Sequence, residues 1–172
     1  MSAKIFTILK TNYTTKGVLN GMLIYTFGDT IASLMLQQFY ISRVIGISLV
    51  GGFVYSLEIP AYFRWIDSKT KAKASTRFSG PLLRTALALA YFNPLWIARH
   101  LAFIAIFSGQ FNAIRLSLLG IAGKSFLANI PLSVLANFLI QNTLPYKYRF
   151  TGSAVFSSLM AVYYALSAVW FR

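Results

Sequence analysis

Four side chains stand where the surrounding sequence gives them least support: Asp29, Glu58, Arg99 and His100, each set in a long apolar stretch. An ionisable group at bilayer depth is costly, so it faces the bundle interior or water and takes a partner there. At a rise of about 1.5 Å per residue, Asp29 lies roughly 17 Å from the nearer basic edge, Arg99 roughly 21–24 Å and Glu58 about 8 Å. Side-chain reach closes the difference between Asp29 and Arg99. The spacing therefore predicts an Asp29–Arg99 contact at the waist of a helix bundle, flanked by His100, Asn93 and Tyr25. Glu58 is matched in depth to Arg64, Arg84 or water. Such a pair either lines a solute pathway or locks helices in register.

The inventory sets limits on other chemistry. Cysteine is absent, His100 is the sole histidine, and Asp29, Glu58 and Asp67 are the only acids. Thiolate chemistry is excluded, and a multi-ligand metal site with supporting shell is not expected. No persuasive nucleophile and base set exists, so neither an enzyme nor a cofactor is expected.

These residues must be held by membrane helices. The 172-residue chain is 57% hydrophobic and 11% charged, with a mean hydropathy of +0.63. A soluble domain needs more polar surface. Five runs approach the roughly 20 apolar residues that cross a bilayer: Val18 to Phe39, Val44 to Phe63, Leu83 to Phe107, Ser125 to Asn142 and Gly152 to Phe171. The fourth is short and interrupted by Asn129, Pro131, Ser133 and Asn137, which predicts a kinked, buried or incomplete span. The fold expected is an all-α polytopic bundle of four to five spans in one domain, residues 1–172, of which 1–17 form a basic interfacial N-terminal segment.

The net charge of +13 reads as topology and headgroup attraction, not as a nucleic-acid surface. With five crossings, Lys4, Lys10, Lys16, Arg64, Lys69, Lys71, Lys73, Arg77, Arg84, Lys147 and Arg149 gather on one side. Arg43, Arg115, Lys124 and Arg172 are left on the other. The stretch Arg64, Lys69, Lys71, Lys73, Arg77, Arg84 is the candidate headgroup or partner loop. Expected partners are anionic lipid on the basic side, a small solute or ion, and a second copy of the chain. Small residues at Gly17, Gly21, Gly28 and Ala32, and at Ser48, Gly52 and Ser56, predict close packing of the first two helices. Aromatic residues at span ends, among them Tyr62, Trp65, Tyr146 and Tyr148, predict interfacial anchoring.

The ordered motifs resemble the family typified by the 22-kilodalton peroxisomal membrane protein and the Mpv-seventeen mitochondrial inner-membrane protein, from about Tyr13 to Trp170. Gly28-Asp29 is similar to its Gly-Asp pair. Arg43 through Tyr62-Phe63-Arg64-Trp65-Ile66-Asp67 resembles its Arg, glycine-rich helix and Trp-Tyr-x-x-Leu-Asp ending. Phe92-Asn93-Pro94 resembles Phe-Ala-Pro, and Asn137-Phe138 followed by Pro145-Tyr146-Lys147-Tyr148-Arg149 resembles Asn-Phe and Val-Pro-x-x-Tyr-Arg. Ser56-Leu57 stands where the family has Gly-Pro, and Ala88-Leu89 where it has Asp-Gln. The resemblance implies an organellar membrane protein, mitochondrial inner membrane first and peroxisomal next, with channel-like passage of small solutes and a role in membrane or metabolite homeostasis. A bacterial or host-organelle membrane is the further alternative. A non-conducting assembly or lipid-organising scaffold is the competing function.

Overall fold

The computed structural model describes the backbone of residues 14–71 and 79–170 and the side chains of 14–70 and 79–163. Among the described residues the chain is helical throughout its long elements: α1 (Thr15–Met35), α2 (Ile41–Leu49), a π-helical segment (Val50–Tyr55), α3 (Ser56–Lys71), α4 (Ser79–Tyr91), α5 (Pro94–Phe107), a 3₁₀ turn (Phe111–Ala113), α6 (Ser117–Asn142) and α7 (Tyr146–Trp170). Because α2, the π-helical segment and α3 run on without a break, and only Phe92-Asn93 separates α4 from α5, these elements form five rods.

Local chemistry sets several boundaries. Thr14 caps α1, its hydroxyl accepting from the Gly17 amide at 3.0 Å. At the α4/α5 break the Asn93 side chain accepts from the amides of Leu95 and Trp96, and Pro94 occupies the first turn of α5. This is the usual pairing of an Asn cap with a proline whose missing N–H costs nothing at that position. The break replaces the single straight span expected over Leu83 to Phe107. Conversely, Pro131 lies inside an uninterrupted α6. The fourth apolar run is therefore a full-length helix that reaches back to Ser117.

Successive rods alternate in direction. At one end Asn20 of α1 meets Thr151 of α7 at 3.1 Å, Tyr146 meets the Pro60 carbonyl at 2.9 Å, and Arg149 meets Asp67 at 2.8 Å. At the other end Ser42 of α2 donates to the Phe107 carbonyl of α5 at 2.6 Å. The described basic residues Lys16, Arg64, Lys69, Lys71, Arg84, Lys147 and Arg149 collect at the first of these ends.

Among the described residues four helical stretches are long and apolar enough to cross a membrane: Thr15–Met35, Ile41–Thr70, Ser79–Phe107 and Ser117–Asn142. The distribution of side chains agrees with that solvent. Leu23 and Phe27 of α1, Leu127 of α6 and Leu159 of α7 are each more than 60% exposed, whereas Asp29, Arg43, Asn137 and Gln141 are at most 3% exposed. Apolar groups outside and polar groups inside suit a lipid surround, where backbone and polar groups must be satisfied within the protein. The chain is an integral membrane protein.

Small residues allow the closest approaches. A Cβ on Gly21 would collide with the Gly51 backbone, and one on Gly51 with the Gly21 backbone, so α1 and the π-helical segment are in backbone contact. This meets the expectation of close packing between the first two helices. Gly28 serves a different neighbour: its α-carbon faces the Ser158 backbone of α7, and α7 is the helix against which α1 packs most extensively.

Candidate functional site: a buried polar plug between two cavities

Asp29 and Arg43 form the centre of the site. Arg43 Nε donates to Asp29 Oδ2 at 2.8 Å and Nη2 to Oδ1 at 2.7 Å, a two-bond fork between side chains that are each about 2% exposed. Fork geometry of this kind is the strong form of a carboxylate–guanidinium pair. It overturns the Asp29–Arg99 contact expected from depth. Arg43 lies in the first turn of α2, just after the return at Leu36–Tyr40, and its long side chain reaches back to Asp29 of α1. Counting helical rise alone places its Cα near the far edge and overlooks that reach.

Arg99 instead donates to Glu58 at 3.0 Å, with both side chains about one-third exposed. The break at Asn93 invalidates the depth obtained by treating residues 83–107 as one straight helix, and Arg99 comes level with Glu58. Arg84 turns to Thr70 at 3.1 Å and lies 3.8 Å from Asp67, so it does not serve Glu58. Asn93 does not flank the plug; its side chain is occupied as the α5 cap.

His100 is brought to the plug through an aromatic bridge. The Tyr55 hydroxyl and His100 Nδ1 are 3.0 Å apart, the Tyr25 and Tyr55 rings are centred 4.8 Å apart, and the Trp96 and His100 rings stack at 5.8 Å. The Arg99 guanidinium lies 5.6 Å from the centre of the Tyr55 ring, a cation–π contact that joins the Arg99–Glu58 pair to the Tyr55–His100 group. Tyr55 ends the π-helical segment. Insertion of an extra residue per turn turns the following side chains to a new face, and such segments recur at functional sites.

A cavity opens on either side of this cluster. The one at the sparsely charged end, about 610 Å³, is lined by Leu36, Arg43, Leu101, Arg115 and Lys124 among others. The other, about 500 Å³, lies at the basic end and includes Lys16, Asn20, Ser56, Arg64 and Lys147. Along α1, Asn20 borders one cavity and Leu36 the other, with Tyr25 and Asp29 between them. Neither cavity is lined by a carboxylate.

A second buried polar feature includes Asn129, Ser133 and Asn137, which the sequence marks only as interruptions of the fourth apolar run. Ser125, Asn129, Ser133, Asn137 and Gln141 recur every four residues on α6, and all are at most 8% exposed. The spacing itself is the missed signal, since i, i+4 residues share a helix face. Against this face a small void of about 10 Å³ lies among Ser133, Asn137, Ser153 and Ser157. Asn137 bonds back to the Ser133 carbonyl at 2.9 Å, and Asn129 reaches Ser133 Oγ and the Met160 sulfur at 3.0 and 2.9 Å.

Of the expected headgroup loop, Arg64 lines the basic-end cavity and the Lys69 ammonium lies 6.0 Å from the Trp65 ring centre. Lys71 is described in backbone only, and Lys73 and Arg77 lie outside the described residues. Outside the spans, burial pushes the Tyr146 hydroxyl above the ordinary tyrosine range, opposed by the nearby Arg64 charge. No family model, curated protein or solved structure matches the chain.

Proposed function

We propose that the chain is a small-solute channel of an organellar membrane, the mitochondrial inner membrane first, with the plug closed. The observation that carries this reading is the pair of cavities at opposite ends of the bundle, separated by a short layer of polar side chains: Tyr25, Asp29, Arg43, Tyr55 and His100. A layer built only to hold helices together is served as well by apolar packing, which replaces buried ion pairs at little or no cost in stability. Polar groups in this position suit a passage that becomes wet when the layer parts. Separation at the π-helical segment would carry Tyr55 away from Tyr25 and His100 and join the two cavities. The resemblance to the peroxisomal and mitochondrial family points the same way.

Flux through liposomes containing the purified protein tests the proposal. The wild-type protein is expected to pass small solutes above the level of empty liposomes, and Tyr55→Ala, which removes the bridging ring, is expected to raise that flux. Absence of flux from both proteins, each shown to be folded and inserted, would overturn it in favour of the non-conducting scaffold. One observation favours that second reading: the plug is packed, with its carboxylate and guanidinium fully engaged with each other.

A further inference from the structure

The cavity at the basic end has the chemistry of a phosphate site. Lys16 comes from the first turn of α1, Arg64 from α3 and Lys147 from the first turn of α7, so three separate elements each contribute a cation to one cavity of about 500 Å³. Thr151, which accepts the Asn20 amide at 3.1 Å, retains its own hydroxyl proton for a ligand on the same wall. The nearby acid on α3, Asp67, does not line the cavity and is taken by Arg149 at 2.8 Å. The lining thus offers positive charge and hydrogen-bond donors to an anion, with no carboxylate to repel it. Ammonium groups and the guanidinium fork are the usual protein partners of phosphate oxygens.

The location and shape of the cavity indicate where that phosphate comes from. Its mouth lies at the charged end of the bundle, beside the exposed Tyr146 and Tyr148, and tyrosine in such a position marks the headgroup level of a bilayer. Its lining also includes the buried rings of Phe63 and Phe150. Cations and apolar rings lining one cavity suit a group that is anionic at one end and apolar at the other. Basic pockets between membrane helices are suited to lipid headgroups for this reason. We infer that this cavity, bounded by Lys16, Arg64, Lys147 and Thr151, binds the phosphate group of an anionic phospholipid. The inference rests on the lining of the cavity and does not require that the protein conduct.

Binding can be read by native mass spectrometry of the full chain in detergent, titrated with phosphatidylglycerol and, in parallel, phosphatidylcholine. The wild-type protein is expected to retain phosphatidylglycerol preferentially, and Lys16→Gln/Lys147→Gln to reduce that preference roughly 10- to 30-fold, the effect of removing two charges near a headgroup. Thr151→Val is expected to weaken retention by a smaller factor with the charge unchanged. Lys69→Gln removes an exposed cation at the same end but outside the cavity and is expected to leave binding unaltered. Equal losses from Lys69→Gln and the double variant would mean diffuse attraction and would overturn the site. Displacement of the lipid by millimolar inorganic phosphate would overturn the lipid assignment in favour of a free phosphate ligand. Equal retention of both lipids by the wild-type protein would overturn the inference altogether.

Discussion

Two buried polar regions of this protein solve the same problem differently. Between α1 and α2, Asp29 and Arg43 satisfy each other with two short bonds, and Tyr55 and His100 are joined at 3.0 Å beside them. On the inner face of α6, Asn137 bonds back along its own helix, and the Gln141 side chain has no hydrogen-bond partner among the described residues although it is fully buried. The first region ties separate helices to one another. In the second, the bonds across to α7 are fewer and neutral: Asn129 meets the Met160 sulfur, and the Ser125 carbonyl accepts from the Tyr163 hydroxyl at 3.1 Å. A buried polar residue in a membrane helix is thus not in itself a cross-link, and its bonds decide which of the two it is.

The largest effect should come from splitting the charged fork. Asp29→Ala strands a buried guanidinium and is expected to cost about 3–5 kcal/mol of stability, as is Arg43→Ala for the carboxylate. Asp29→Ala/Arg43→Ala together should cost much less than the sum, because neither charge is left alone. Thermal unfolding in detergent across this cycle measures the coupling, and additive losses would show that the pair does not join the helices.

The Arg99–Glu58 pair provides an intermediate case, since both side chains are about one-third exposed. Arg99→Ala leaves the Glu58 carboxylate without its partner inside a span, but Glu58 stands near the basic edge, so the loss is expected to be smaller than that of Asp29→Ala in the same assay. A loss as large as that of Asp29→Ala would place this second pair in the plug's energetic core.

Gln141 should show the smallest effect, with the opposite sign. Leucine removes two unbonded polar atoms at similar volume, so Gln141→Leu is expected to be neutral or to stabilise by up to about 1 kcal/mol. Destabilisation by more than that would reveal a partner for Gln141, and the polar face of α6 would then be as interlocked as the plug.

Much of the bundle is legible in the sequence. Apolar run length gives the number of rods because a helix must reach across the hydrocarbon, and the loops carry the charge that cannot enter it. Asn93-Pro94 was legible in type, as a cap followed by a first-turn proline, although it stood in the sequence reading as part of one span and as a flank of the site. The four-residue recurrence on α6 was equally open to inspection. In the site, Asp29, His100 and Tyr25 were found from their types and depth. Arg43 was missed because its position in sequence marks a loop edge, whereas its guanidinium ends up in the core.

The sequence by itself determined that the chain crosses a membrane, how its apolar stretches divide it and which end carries the excess positive charge, since each depends on the transfer of whole segments between water and lipid. Tertiary structure alone decided which charge meets which: Asp29 with Arg43, and Glu58 with Arg99. Pairing depends on the return of one helix against another, the break at Asn93, the π-helical segment over Val50–Tyr55 and the reach of a single arginine side chain. Those displacements are a few ångströms each, too small to alter a hydropathy pattern and large enough to change every partner in the plug.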